Sequence, residues 1–199
     1  MNTELVVRTA KLAGRLLLEN GAETYRVEDT VGYICNRYGL KDVEVIALPT
    51  GTIYSFVDGD GVPHSEVIRT KVRTTNMGCV ARVNDISRGL TSGRLTLEEG
   101  CAQLEALRCM GPQPLWQSLL AGALSSVIAL GSVKIFGMGN QTAIITGAIM
   151  PLLPGLAITN AIRDTVNGDL VSGVARTAEA LLKAVAIAAG VGVVIALWR

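Results

Sequence analysis

Apolar positions recur every three to four residues over 3–19 (TELVVRTAKLAGRLLLE), at Leu5, Val6, Leu12, Ala13, Leu16 and Leu17. That spacing predicts an amphipathic helix, ended by Asn20-Gly21. Residues 22–38 repeat the pattern with Val27, Val31, Ile34 and Tyr38 on one face, and Gly39 stops them. The period then shortens. VEVIALP, GTIYSFVD and SEVIRTKVRT are β-branched runs bounded by Pro, Gly and Asp, and predict three strands. DGDG at 58–61 turns between the second and third. VARVNDISRGL predicts a short helix closing at Gly89 or Gly93, and TLEEGCAQLEAL another, with Thr96 and Glu99 spaced for a capping box. Two helices, three strands and two helices make a small α+β domain over 1–110.

Beyond that point the polar positions thin out. Residues 115–133 (LWQSLLAGALSSVIALGSV) carry no charge and start beside Trp116. As a helix they reach about 28 Å, close to the ~30 Å hydrocarbon core of a bilayer. Residues 141–162 are also uncharged, and 184–198 extend to about Ala180 if Lys183 snorkels. Trp198 suits an interface, and the frequent Gly and Ala suit close helix packing in lipid. The pattern therefore predicts a helical membrane domain over 111–199 with about three transmembrane helices, near 115–133, 141–162 and 180–198.

Charge sharpens this boundary. The chain has 18 Lys and Arg and 17 Asp and Glu, yet only eight of these follow Met110. Gly-Pro-Gln-Pro at 111–114 marks the shift. Most Lys and Arg lie in the first domain, which the positive-inside bias keeps in the cytoplasm, with a loop at 163–179 on the same side. The net charge of +1 gives no reason to expect nucleic acid as a partner. The opening residues show no apolar h-region of a secretory signal. Cys35, Cys79, Cys101 and Cys109 form no CxxC pair and there is a single histidine, His64. No metal site and no cofactor are expected, and the four cysteines read as reduced thiols.

One stretch breaks the apolar pattern: IMPLLPGLAITNAIRDTVNGD at 149–169. A proline in a lipid-facing helix frees a carbonyl, which is tolerated only against protein or a wet cavity. Pro151 and Pro154, followed by Gly155, therefore predict a kinked or broken span, the device by which transporters expose backbone to polar substrates. Asn160 lies in the same run, and Arg163-Asp164 could hold a carboxylate or pair internally. Asn167-Gly168-Asp169 is a turn signal. Arg176 and Glu179, three apart on the next helix, can pair with each other or with Asp164 and Arg163. Asp164 and Asp169 are the acidic candidates for coupling, both at a span edge.

Two long stretches carry a resemblance. LLLENGAETYRVEDTVGYICNRYGL resembles the N-terminal domain signature of the threonine/serine exporter family. IITGAIMPLLPGLAITNAIRDTVNGDLVSGVARTAEALLKAVAIAAGV resembles the end of that family's first membrane half. The resemblance picks out Gly21, Glu23, Thr24, Arg26 and Glu28 in the first motif. In the second it picks out Pro151, Pro154, Gly155, Asn160, Arg163, Asp164, Gly168, Asp169 and Glu179. It implies export of small polar metabolites, threonine and serine or dicarboxylates such as succinate. It also implies a multi-pass protein of the cytoplasmic (inner) membrane, and a second membrane half that this chain would find in a separate subunit. The family's first half usually has five spans, so two are missing between Val133 and Gln141.

Read without the family, the first motif is plainer. Glu23 and Thr24 open a helix, where acidic and hydroxyl residues help any first turn. Arg26 and Glu28 cannot face each other at a spacing of two and must find partners elsewhere, the membrane-facing loop among the options. Three spans are too few to enclose a path, and Gly122, Ser125, Ser126 and Gly131 give a small-residue face, so an oligomer is expected. Two other functions compete. A non-transporting regulatory or degenerate member would follow if the missing spans destroyed the path. A membrane-anchored hydrolase could use Glu23, Asp29, His64 and Asp85, but the chain has no GxSxG, HExxH or P-loop, so it is not expected to be an enzyme.

Overall fold

The computed structural model describes residues 3–71, 73–107, 115–136 and 140–198. The chain divides into two compact units. One comprises Met1–Pro112 with Asn160–Val174; the other comprises Gln113–Thr159 with Ala175–Arg199. The Gly-Pro-Gln-Pro boundary, Cys109 and residues 137–139 of the interval in which two spans are missing lie outside the described residues.

The first unit is built as its pattern predicts. Helix α1 (Thr3–Glu19) and α2 (Thr24–Arg37) bury Val6, Ala13 and Leu17 against Val27, Val31 and Ile34. Leu5 and Leu12 pack on the rim of that core. Strands β1 (Lys41–Leu48), β2 (Gly51–Val57) and β3 (Pro63–Arg69) form an antiparallel sheet in chain order. Ala47, Tyr54 and Phe56 turn into the core. The third strand starts two residues earlier than the sequence predicts and ends at Arg69, five residues earlier. Pro63 is tolerated because β3 is an edge strand that needs no donor there.

Helix α3 (Met77–Ser92) starts three residues before its predicted segment, because Asn76 caps it by accepting from the Cys79 N–H at 3.1 Å. It ends at Gly93, which takes a left-handed conformation. Helix α4 (Leu97–Ala106) opens with the expected Thr96–Glu99 capping box. One cysteine departs from expectation. Cys79 is disulfide-bonded, so it is not a reduced thiol. Spacing along the chain does not say which thiols the fold brings together. Cys35 and Cys101 are free and buried, and burial pushes the Cys35 thiol up to about 11.

In the second unit, α5 (Leu115–Phe136) is uncharged up to Lys134. It is followed by α6 (Gln141–Ile149), capped by Asn140, whose Oδ1 accepts from the Thr142 and Ala143 N–H groups. The proline stretch does break the helix. A short 3₁₀ turn at Met150–Leu152 separates α6 from α7 (Gly155–Val166), and the two apolar segments are bent by 54°. Helix α8 runs unbroken from Leu170 to Trp198. Among the described residues, two helices are thus long and apolar enough to cross a membrane, or three if the bent pair is one span.

The third span and the loop before it need correction. The predicted loop at 163–179 is helical except at the 167–169 turn, where Gly168 has φ +98°, and α8 starts ten residues before the predicted Ala180. Charges stop a hydropathy run but not a helix. Glu179 and Lys183 pair across one turn at 3.0 Å, and Arg176 is buried.

Helices α5 and α8 cross where they carry glycine. A Cβ on Gly122 would collide with the Ile187 carbonyl, and one on Gly190 with the Leu119 carbonyl. Gly147 has open space around it. Replacing Gly190 by Ala should therefore lower the thermal unfolding temperature of the detergent-solubilised chain. The same change at Gly147 should leave it unchanged or slightly raised, since Ala is the better helix former by about 1 kcal/mol.

Candidate functional site

The first unit contains the junction between the two motifs that the sequence singles out. Its geometry starts at the turn between α1 and α2. Gly21 has φ +86°, a conformation that side chains resist, and a Cβ there would stand 3.0 Å from the Thr74 carbonyl. The turn is fastened by Thr74 N–H to the Glu19 carbonyl at 2.8 Å and Asn76 N–H to the Asn20 carbonyl at 3.0 Å. It leaves the Gly21 carbonyl facing Asn160, whose Nδ2 donates to it at 2.8 Å.

Next along the chain, Glu23 occupies the cap position of α2 but makes no capping hydrogen bond with its side chain. The start of α2 is instead satisfied from α7. Thr24 N–H donates to Asp164 Oδ1 at 3.2 Å. The single proton of the Thr24 hydroxyl is shared between Asp169 Oδ2 at 2.6 Å and Asp164 Oδ1 at 3.0 Å. Asp164 is fully buried, with 0% of its surface exposed. A carboxylate out of water requires donors, and the unpaired N–H groups and positive dipole end of a helix supply them.

The ion pairs continue the pattern. The buried Glu23 carboxylate takes Arg26 at 2.9 Å and Arg163 with its other oxygen. Arg26 therefore finds its partner three residues back on its own helix, and Glu23, not Arg26 or Glu28, meets α7. Glu28 turns to the sheet: its Oε1 accepts from the Ala47 N–H at 2.8 Å. Burial raises the Glu28 carboxyl above the ordinary range, the Ala47 bond opposes this, and the Asp169, Asp29 and Asp164 charges add to it.

Of the residues read from the second motif, Asn160, Arg163, Asp164 and Asp169 join this junction. Pro151, Pro154 and Gly155 form the break between α6 and α7, in the other unit. Glu179 pairs with Lys183 in that unit. Among the described residues no group of His, Cys, Asp and Glu could hold a metal ion. Thr24 as a bridge between two carboxylates is invisible in the sequence. A threonine at a helix start reads as a local cap, and 140 residues separate it from Asp164.

The family model of ThrE, the threonine/serine exporters, matches this chain over residues 8–131 and 111–198, two segments that share 111–131. No curated protein and no solved structure matches it. The chain belongs to the threonine/serine exporter family, a family of membrane transporters.

Two measurements probe the junction. Thr24→Val removes the shared donor while keeping the shape, and should cost about 1–3 kcal/mol of unfolding free energy. In a double-mutant cycle with Asp164→Asn the two changes should be non-additive by about 0.5–3 kcal/mol. Glu28 tests the electrostatics. A carboxyl whose folded pKa is raised binds more protons folded than unfolded, so stability is full below its ordinary range and falls as pH rises through the raised value. Glu28→Gln keeps the acceptor for Ala47 and removes the charge. It should therefore stabilise the chain at pH 7, and the gain should vanish below the ordinary carboxylate range when thermal unfolding is followed against pH.

Proposed function

We propose that this member of the threonine/serine exporter family is one subunit of an exporter of small polar metabolites: threonine and serine, or dicarboxylates such as succinate. In this reading it is a multi-pass protein of the cytoplasmic (inner) membrane with its N-terminal domain in the cytoplasm. It works in an oligomer with a second membrane half of the same family, supplied by a separate subunit, and it catalyses no chemical reaction. The observation that carries the reading is the junction itself. Gly21, Glu23 and Thr24 of the N-terminal motif hold Asn160, Arg163, Asp164 and Asp169, the polar residues that follow the broken span. An exporter needs its cytoplasmic part tied to the element that opens, and these contacts supply such a tie.

The substrate path then runs by the break. Pro151 and Pro154 donate no N–H, so the carbonyls of Gly147 and Met150 lose the donor four residues on, and the Met150 carbonyl keeps one lone pair beside the bond it accepts from the Leu153 N–H at 3.3 Å. Such carbonyls at membrane depth are groups a polar solute can use. Asp164 and Asp169 are the carboxylates placed to couple substrate movement to an ion gradient.

One observation favours the competing reading, a non-transporting regulatory or degenerate member. The two matched segments share residues 111–131, as expected of a chain shortened in its membrane part, and the described residues give at most three spans. Efflux separates the two. Cells lacking other exporters, loaded with a threonine- or serine-containing dipeptide or with labelled succinate, should export only when this chain and its partner subunit are both expressed. Asp164→Asn should abolish that efflux and Pro154→Ala should reduce it. Correct membrane insertion without efflux of either class of solute would establish the non-transporting reading.

A further inference from the structure

A cleft of about 800 Å³ lies in the first unit, away from the junction, between α1 and the inner face of β3. Its two walls differ in charge. On the helix wall, Arg8, Lys11 and Arg15 recur at spacings of three and four and form a basic stripe, with Glu4 at its N-terminal end. On the strand wall, His64 and Glu66 alternate onto the same face, with Asp58 beside them in the turn. Leu12, Phe56 and Ile68 give an apolar floor. Lys11 and Glu66 form an ion pair from wall to wall.

The remaining charges are held at the margins. Arg8 pairs with Glu105 at 2.5 Å and Arg15 with Glu19 at 2.7 Å, the arginines both more than half exposed. His64 Nε2 lies 2.7 Å from Asp58 Oδ2, and its ring stacks on Phe56 at 5.1 Å. Exposed ion pairs of this kind are weak in water and exchange readily for a better partner.

We propose that this cleft binds a small zwitterionic amino acid, with its carboxylate on Lys11 and the arginine stripe, its ammonium on Glu66 and Asp58, and its side chain on the apolar floor. A ligand of one charge would separate Lys11 from Glu66 and compensate only one of them. A zwitterion entering between them compensates both. The inference stands on the cleft alone. Joined to the proposed transport, and coupled to it, it would make the exporter responsive to the cytoplasmic level of its own cargo, since coupling between two binding sites is reciprocal.

The only histidine of the chain sits in this cleft, so its ring is a site-specific reporter. The test uses the full chain in detergent micelles with isotopically labelled histidine, and follows the His64 ring signals by NMR. L-threonine should shift them saturably, whereas butyrate and butylamine, each carrying one of the two charges, should not. Glu66→Gln and Lys11→Met should each weaken the threonine response by about tenfold or more. An absent response to threonine, an equal response to butyrate or butylamine, or undiminished binding by both folded variants would overturn the proposal. The wild-type ligand series decides even if a variant fails to fold. Efflux and the His64 response are separate readouts, so threonine binding without efflux would sink only the transport reading, and efflux without threonine binding only this site.

Discussion

A fully buried carboxylate is the constraint around which this fold is arranged. Asp164 has no access to water, and an ionised group in that position is costly unless donors surround it. The start of α2 provides them, through one backbone N–H and one hydroxyl of the same residue, Thr24. This explains why Glu23, at the cap position, leaves the first turn of its helix uncapped. A local cap would fill the donors that Asp164 requires. It also explains the strained turn before it, since only a residue free to adopt φ +86° can aim the Gly21 carbonyl at Asn160 while passing close to Thr74.

The same arrangement sets the electrostatics around it. Asp164 and Asp169 meet at one hydroxyl, and Glu28 lies close enough to feel both. Arginines balance the acidic side: Arg26 and Arg163 both bind Glu23. Burial, and then the Asp169, Asp29 and Asp164 charges, raise the Glu28 carboxyl against the backbone hydrogen bond it accepts from Ala47. Charge-assisted bonds are the strong ones, so a junction built from them is specific in geometry and sensitive to the loss of any member.

Local signals carried much of this structure in the sequence. The helical period of α1 and α2, the turn at DGDG, the Thr96–Glu99 box and the proline break each depend on residues within a few positions of one another. What was hidden depends on distance in the chain. The amphipathic pattern places Thr24 at a helix start but does not reveal that its hydroxyl serves α7 and the turn after it. Likewise, His64 precedes the predicted third strand, while the fold sets it in β3 against Phe56 and Asp58. Hydropathy also misjudged α8, because it scores each side chain alone. An i,i+4 pair such as Glu179–Lys183 lets charges continue a helix that the scale would end.

The true length of α8 changes what its charges mean. Twenty-nine residues rise about 44 Å, well beyond the ~30 Å that the hydrocarbon core requires. Arg176, Glu179 and Lys183 all fall in its first half, and the fifteen residues from Ala184 to Trp198 carry none. The surplus length therefore belongs at the Leu170 end, which emerges from the lipid while the uncharged part stays inside. That end begins at the turn of Asp169, the residue that shares the Thr24 hydroxyl. In the proposed exporter, the junction then grips the start of α8, which like α5 has no proline to absorb a displacement. Motion would concentrate at the Pro151–Gly155 break, where the chain already bends by 54°.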